Sequence, residues 1–415
     1  FIKNSRGVCI TMAKNFSNKD IIVFLEEIDF LIADGYGSGF PLYLKKGKVI
    51  INKFISLFTQ TMENSNFEYK QLKVSQLIFL KDFQKLYNGI NDYTGEVIDF
   101  EDKIISSDPL AQTLNYARQG YVNILSVSSI YREKSKGLLP LFKDRYIFPV
   151  IQIDQRIEPI NYLHNIEQLK KIYRSFYKKI GLYFLFLEGF EVRKYADKEL
   201  YFLGHLDNEF TKLGMIYKLS KNFNANYQIT NSDILLNSGL SGKTLFLSIK
   251  NFSEFYGKFA IPPRICEKLL YIFAKDDSYQ IFFSDILLKY NDSCQVGLSE
   301  KHFYKKWKKS EAFYYIYMKD ERYELIEKNG QIHSFISEDK VIQFIENNLK
   351  YLEKGAFEYS REKLYSNLKN NTFELCEECY TKEFYGLVQE EKDSYCLKCG
   401  KTIHKKIFQS NSRFY

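Results

Sequence analysis

IYREKSKGLLPLFKDRYIF, residues 130–148, joins two stretches of extended type. Upstream, VNILSVSSIYRE (122–133) alternates with the two-residue period of a strand. Downstream, RYIFPVIQID (145–154) reads as another strand, and SKGLLPLFKD (135–144) as the hairpin-like loop between them. Two strands joined in this way run antiparallel. Arg132 and Arg145 then fall on neighbouring strands at one end of a sheet.

Helices are expected on either side of this hairpin. Residues 18–33 place Ile22, Leu25, Ile28 and Leu31 on one face, with Ser17 or Asn18 as the cap. GFPLYL (39–44) looks extended, and KVIINKFISLFTQTM (48–62) is a second helix with Val49, Phe54 and Phe58 inward. Residues 110–118 and 165–182 are further helices, the latter followed by the apolar run LYFLFL. At Ile261–Arg264 two prolines break any helix and set an extended course. KLLYIFA, AFYYIYM and RYELIE follow as strands, and Lys328-Asn329-Gly330 turns the chain into QIHSFI. From Ser337 a helix carries Val341, Ile345, Leu349 and Leu352 on its inner face. Strands and helices without regular alternation argue for an α+β fold.

Composition narrows the classes. At 415 residues and 45% hydrophobic content there is material for two or three domains. No apolar run approaches the ~18 residues that suggest a membrane span. The net charge of +8 permits nucleic-acid binding without demanding it. The 17% aromatic content reads as the codon bias of an AT-rich genome rather than as stacking platforms for bases. The chain opens on Phe1, so its natural start is expected upstream, which leaves a targeting segment open. Of seven cysteines, Cys9, Cys266 and Cys294 are scattered, while four form two CxxC pairs. An odd total with paired spacing indicates a reducing compartment, cytoplasmic or an organellar matrix, and a metal rather than a disulfide framework.

Cys376 and Cys379 are separated from Cys396 and Cys399 by sixteen residues. Each pair forms a knuckle, and Gly400 permits the tight turn of the second. Four thiolates close a tetrahedral shell, so the expected Zn2+ is structural. His404 is a conceivable substitute ligand and more naturally a surface histidine.

Other features weigh less. SGLSGKT (238–244) looks like a phosphate loop, but the glycine required at position 237 is Asn237, and no buried apolar strand reads directly into it. His164, His205, His302 and His333 have no neighbours at metal or triad spacing. KHFYKKWKKS (301–310) is a solvated basic surface or an RNA-binding one, in which Lys305 and Lys306 meet the backbone and Trp307 stacks on a base.

Taken in order, several stretches resemble the class II aminoacyl-tRNA synthetases, and among them prolyl-tRNA synthetase of the archaeal and eukaryotic type. FSNKDIIVFLEEIDFLIADG (16–35) resembles its first helix, and GSGFPLYLKKGKVIINKFISLF (37–58) its motif 1. ISSDPLAQT (105–113) sits where the family has its proline-binding loop. Residues 130–148 resemble motif 2, NSGLSGKTLFLSI (237–249) motif 3, and IPPRI (261–265) the lead into the anticodon-binding domain. VIQFIENNLKYLEKGAF (341–357), the cysteine pairs and Tyr415 resemble the C-terminal zinc domain.

The resemblance implies a class II antiparallel sheet with flanking helices over residues 1–260. It implies a reduced α/β anticodon-binding-like domain over 261–335 and a zinc domain over 336–415. Arg132 matches the motif 2 arginine that bridges the amino acid and ATP, Arg145 a second basic position, and Lys243 the motif 3 arginine on the γ-phosphate. These three would be catalytic, because bringing a carboxylate onto a phosphate needs cations to hold two anions together. Lys143, Gln112 and Phe148 fall at substrate positions, with Phe148 one place out of register for stacking on adenine, or that role lost to Ile147.

Departures are numerous. Lys134 stands where a glutamate holds adenine, Lys143 and Lys243 replace arginines, and Leu110-Ala111-Gln112 replaces the Thr-Ser-Glu run at the proline nitrogen. Tyr217 and Lys218 replace a histidine pair, and the motif 1 proline near Val74-Ser75 is absent. Two functions are therefore expected. One is a synthetase-like descendant that keeps the fold and a tRNA- or partner-binding role with prolyl activation degraded. The other is an active ligase using ATP and Mg2+ on another amino acid, passing it to tRNA or another acceptor. Homodimerisation through residues 39–60, or pairing with a pseudo-symmetric partner, follows from the resemblance.

Overall fold

The computed structural model describes residues 14–75, 77–86, 88, 98–100, 103–105, 109–131, 138–189, 195–207, 209–230, 232–275, 279–368, 372–373, 386–396 and 401–408. The fold is mixed, with a large, mostly antiparallel sheet at its centre.

The first helix, α1 (Asn18–Glu27), opens on a reciprocal cap. The Asp20 N–H donates to Ser17 Oγ at 3.1 Å, and the Ser17 N–H donates to the Asp20 carboxylate at 2.8 Å. It ends six residues before the expected stop. Asp29 takes a left-handed φ of 57°, and the chain turns into a two-residue strand, Leu31–Ile32, that pairs with Leu42–Tyr43. α2 (Lys45–Glu63) buries Phe54 and Phe58 as expected, together with Ile50, Ile51, Leu57 and Met62.

The strand β1 (Lys70–Leu72) runs parallel to β2 (Asn123–Tyr131), and α3 (Leu110–Arg118) lies between them in sequence. β3 (Tyr146–Ile157) pairs antiparallel with β2, from Asn123 opposite Gln155 to Tyr131 opposite Tyr146. The hairpin read from the sequence therefore exists. The rest of the sheet is supplied by β4 (Leu185–Gly189), β5 (Ala196–Leu206), β6 (Glu209–Leu219) and β7 (Ile234–Ser241), which follow the helix α4 (Tyr162–Lys179). Their order is β4-β5-β6-β7-β3-β2-β1, all antiparallel except the last pair.

Behind this sheet, α4 and α5 (Gly242–Tyr256) pack with α2 in one apolar core. Phe54, Phe58, Tyr173, Phe176, Tyr177 and Phe202 interlock there, with ring centroids 4.3–6.0 Å apart. Fully burying a side chain of this size is worth about 1.5–3 kcal/mol. A second core lies on the front of the sheet, where α3 packs with Ile124, Tyr201, Leu203, Tyr217 and Leu235.

After the two prolines the chain builds a separate sheet from β8 (Leu270–Phe273), β9 (Cys294–Gly297), β10 (Tyr314–Lys319), β11 (Arg322–Glu327) and β12 (Ile332–Phe335), with α6 (Glu300–Lys309) against it. Its order is β9-β8-β10-β11-β12. The first three strands are parallel, and β11 and β12 antiparallel. The expected hairpin at Lys328–Gly330 joins β11 to β12. Polar ties hold this sheet to the main body. Lys53 Nζ donates to Cys266 O at 2.9 Å, Glu267 O at 3.0 Å and Ser293 Oγ at 2.8 Å, and Lys46 pairs with Glu311 at 3.1 Å.

The long helix α7 (Glu338–Leu368) buries a stripe from Val341 through Ile345, Leu349, Leu352, Ala356 and Leu364 to Leu368. It packs first on β11 and β12, then on α5, α4 and β5. After it, β13 (Thr372–Phe373), β14 (Gly386–Tyr395) and β15 (Thr402–Phe408) extend the main sheet, with β14 pairing to β4. Among the described residues no helix is long and apolar enough to cross a membrane.

Candidate functional site

The cationic end of the hairpin is built from four elements. Gly39 O accepts from the N–H groups of Arg145 and Tyr146 at 3.0 and 3.1 Å. Gly39 has φ +85°, and a Cβ there would stand 3.0 Å from Arg145 Cγ, so glycine is required on two counts. Arg145 Nε is enclosed and has no hydrogen-bond partner among the described residues. The loop before it is closed by Leu139 and Lys143, which exchange backbone bonds of 3.1 and 2.7 Å. Arg132 lies outside the described residues, as does Lys134.

Lys243 is the second residue of α5, and its ammonium sits 4.9 Å from the centre of the Phe142 ring. A Cβ on Gly242 would stand 2.8 Å from Phe148 O and 3.3 Å from Leu141 O. The start of α5 and the hairpin are therefore in backbone contact, and Arg145, Lys143 and Lys243 share one end of the sheet. The strand β7 does run straight into α5, contrary to the sequence reading of residues 238–244. That continuity itself excludes a phosphate loop, because no loop separates strand from helix. The Thr244 hydroxyl, which a phosphate loop would turn to a metal, instead donates to Leu213 O at 2.6 Å.

Phe148 is half-buried in a stack, 6.0 Å from Tyr43 and 6.4 Å from Tyr146, and Tyr43 Oη donates to Phe148 O at 3.4 Å. Asp144, between the two cations, is almost wholly buried. Its Oδ2 accepts from Leu141 N–H at 2.7 Å, and its Oδ1 has no partner among the described residues. Burial, opposed by that bond and aided by Asp34, pushes its carboxyl up to about 7.

The front of the sheet next to this end is polar and buried. Asp154 on β3 faces Asn237 on β7, its register partner, and the Asn237 amide donates to Oδ1 at 2.7 Å. Gln152, two residues away on the same face, donates to Oδ2 at 2.8 Å. Burial raises the Asp154 carboxyl, and contacts with Thr113, Asn237 and Gln152 bring it back to about 6. Ser126, opposite Gln152, and Ser128 add two hydroxyls with no partner among the described residues. None of these residues was singled out from the sequence. The available signal was Gln152 and Asp154 at alternate positions of an otherwise apolar strand.

Elsewhere the expected substrate positions are closed. Leu110 and Ala111 are buried in the front core. Both ends of the Gln112 amide are used by the backbone of Ser75, which accepts from Nε2 at 2.5 Å and donates to Oε1 at 2.8 Å. Tyr217 is buried against Tyr195 and Tyr201, with centroids 5.7 and 6.4 Å away, and Lys218 pairs with Asp197 at 3.6 Å.

The nucleic-acid reading of α6 needs one correction. Trp307 has no exposed surface. It packs against Tyr304 and Tyr315, while Lys328 Nζ caps the helix end by donating to Trp307 O, Lys308 O and Ser310 O at 2.7–3.0 Å. The ring cannot stack on a base, because the four-residue spacing of Phe303 and Trp307 puts both on the inner face. Lys305 and Lys306 remain exposed on the outer face.

Of the four cysteines expected to bind zinc, Cys376, Cys379 and Cys399 lie outside the described residues. Cys396 is buried at the turn between β14 and β15, and its N–H donates to Lys401 O at 2.8 Å. Among the described residues no group of potential ligands is large enough to hold an ion.

No protein-family model and no curated protein sequence matches the chain. Solved structures do. A prolyl-tRNA synthetase of Giardia lamblia, in complex with prolyl-adenylate, aligns over 96% of this chain and 100% of its own at a TM-score of 0.74 and 12% identity. A prolyl-tRNA synthetase of Cryptosporidium parvum, complexed with halofuginone and AMPPNP, aligns over 87% and 82% at 0.67 and 12% identity. At this identity the likeness is one of fold, and the chain has the class II prolyl-tRNA synthetase fold.

Proposed function

We propose that this chain is a prolyl-tRNA-synthetase-like protein that keeps the class II fold and a role in binding tRNA or a protein partner, with prolyl activation lost. The observation that carries the reading is the state of the proline positions. Leu110 and Ala111 are core residues and Gln112 is saturated by Ser75, so no side chain there is left to hold an imino nitrogen. The exposed Lys305 and Lys306 supply a cationic face for RNA. A structural zinc held by Cys376, Cys379, Cys396 and Cys399 and a dimer through residues 39–60 belong to the same reading.

A second reading is favoured by the cations at the hairpin and the polar floor beside them. It is an ATP-dependent ligase for another amino acid. Arg145, Lys143 and Lys243 would hold the phosphates, with Mg2+ sharing their charge, and Arg132 would join them. ATP–pyrophosphate exchange with a panel of amino acids separates the two. The first reading expects no exchange with proline or any other amino acid, and retention of tRNA in a filter assay. Exchange with proline refutes it, and exchange with a different amino acid establishes the second.

A further inference from the structure

Beside the second sheet, three segments meet at an exposed apolar corner. After β8 the chain forms two short helices, Tyr279–Phe282 and Ser284–Tyr290. The second turns Ile286 and Tyr290 into the core, and Phe283 packs edge-on against Tyr323 with centroids 5.6 Å apart. Tyr323 Oη donates to Phe282 O at 2.7 Å, and Tyr323 stands opposite Phe335 on β12. The Ile286 N–H donates to Glu338 Oε2 at 2.9 Å, which ties the start of α7 to the same helix. These bonds hold the short helices, the end of β12 and the first turn of α7 together. The same stretches carry Ile281, Leu288 and Ile336, which are 75%, 85% and 74% exposed, and Phe282 at 46%. Apolar residues scattered singly over a surface need no explanation, but four tied this closely do.

Acids border the corner. Asp285 shares a face of its helix with Leu288, three residues on, and Glu338 and Asp339 open α7 just after Ile336. Burial raises the Glu338 carboxyl, its bond to the Ile286 N–H opposes that, and the nearby Asp285 raises it again. Of the cations on these helices, Lys289 pairs with Glu346 at 3.6 Å, which leaves Lys340 against three carboxylates among the described residues. At the β10–β11 turn Asp320 and Glu321 are matched by Lys319 and Arg322. The corner also lies on the face of the second sheet away from α6. Tyr323 and Leu325 pack on its side, whereas Ile326 packs with the cluster under α6. An acidic rim repels RNA phosphates, and aliphatic side chains offer a base no ring to stack on. A helix whose apolar stripe is flanked by lysine or arginine meets both features at once. We propose that this corner docks a basic amphipathic helix of a partner protein, whose stripe covers Ile281, Leu288 and Ile336 and whose cations face Asp285, Glu338 and Asp339. This rests on the partner-binding part of the proposed function and names the chemistry of that partner.

The probes are labelled synthetic peptides of about 15 residues, titrated with the full chain and followed by fluorescence anisotropy. One repeats leucine with the helical period and fills the other positions with lysine. A second keeps the leucines and replaces lysine by glutamate, and a third is the lysine peptide scrambled. The lysine helix should bind at least about tenfold more tightly than the other two. Ile281→Ser combined with Leu288→Ser should weaken it about tenfold at unchanged melting temperature, because both side chains already face water. Asp285→Asn combined with Asp339→Asn should weaken it about three- to tenfold and flatten its salt dependence. Binding of none of the peptides, equal binding of all three, or affinity unchanged in both variants overturns the inference. Other occupants have their own readouts. Self-association in sedimentation equilibrium that Leu288→Ser abolishes means that a second copy covers the corner, and affinity for a labelled RNA that falls in the apolar double variant means that nucleic acid does. Either result overturns the inference. Retention of tRNA and pyrophosphate exchange, measured on the same variants, read the proposed function separately. Peptide failure with tRNA retained sinks only this inference, and exchange with proline sinks only the loss of activation.

Discussion

Replacing Asp144 by asparagine should reverse the sign of its effect on stability across the neutral range. The carboxyl is about 1% exposed, with one oxygen on Leu141 N–H and the other unpartnered. Its affinity for a proton rises from the ordinary 3.8 to about 7 on folding. A raised acid favours the folded state while it is neutral. That contribution is complete below the unfolded value near 3.8 and lost as the pH climbs through about 7. The full difference is worth about 4 kcal/mol, since each pH unit is worth about 1.4. Asparagine keeps the acceptor for Leu141 but buries an NH2 group where the unpartnered oxygen was, which costs about 1–3 kcal/mol at every pH. Below pH 4 the variant should therefore be the less stable protein, and at pH 8.5 the more stable by about 1–3 kcal/mol. Urea unfolding followed by circular dichroism at half-unit intervals from pH 4 to 8.5 measures both curves. Parallel curves would refute the reasoning, because the carboxylate would then have to be charged at no cost. Wild type more stable at pH 8.5 would mean that a cation within the fold already faces Oδ1.

Three other outcomes follow from the same structure. Lys53→Met should lower stability by about 1–3 kcal/mol, because it strands three acceptors at the junction of the two sheets; a thermal melt indistinguishable from wild type would show that the junction does not depend on them. Lys305→Glu with Lys306→Glu should weaken RNA retention and flatten its salt dependence at unchanged melting temperature, whereas Trp307→Ala should cost about 3–5 kcal/mol as a core truncation; RNA binding that survives the double charge reversal moves the interface elsewhere. Cys396→Ser or chelation should expose the region after α7 to protease while the main sheet stays folded, with elemental analysis giving one zinc per chain; an unchanged digest with no zinc would remove the metal from this protein.

Much of the fold follows from local rules. The Ser17–Asp20 capping pair fixes where α1 begins, because both partners lie within one turn. The apolar stripe of α7 repeats with the helical period, and the Lys328–Gly330 turn joins strands only a few residues apart. The hairpin around residues 130–148 is likewise local, so Arg145 was placed at one end of a sheet from sequence alone. Other decisions needed the third dimension. Asp29 ends α1 early because the chain must turn back to pair Leu31–Ile32 with Leu42–Tyr43, and nothing in the apolar stripe through residue 33 signals that pairing. Trp307 could face RNA or core on an isolated helix, and only the sheet beside α6 assigns it to the core. The strands that extend the sheet beyond α7 do so by pairing with β4, far away in sequence. The polar floor is the extreme case. Asp154 and Asn237 are 83 residues apart, and their side chains meet only because β3 and β7 pair in one particular register. A shift of one residue would turn each of them to the opposite face. Sequence periodicity shows which residues can share a face of one element, but only the register between elements decides which of them meet.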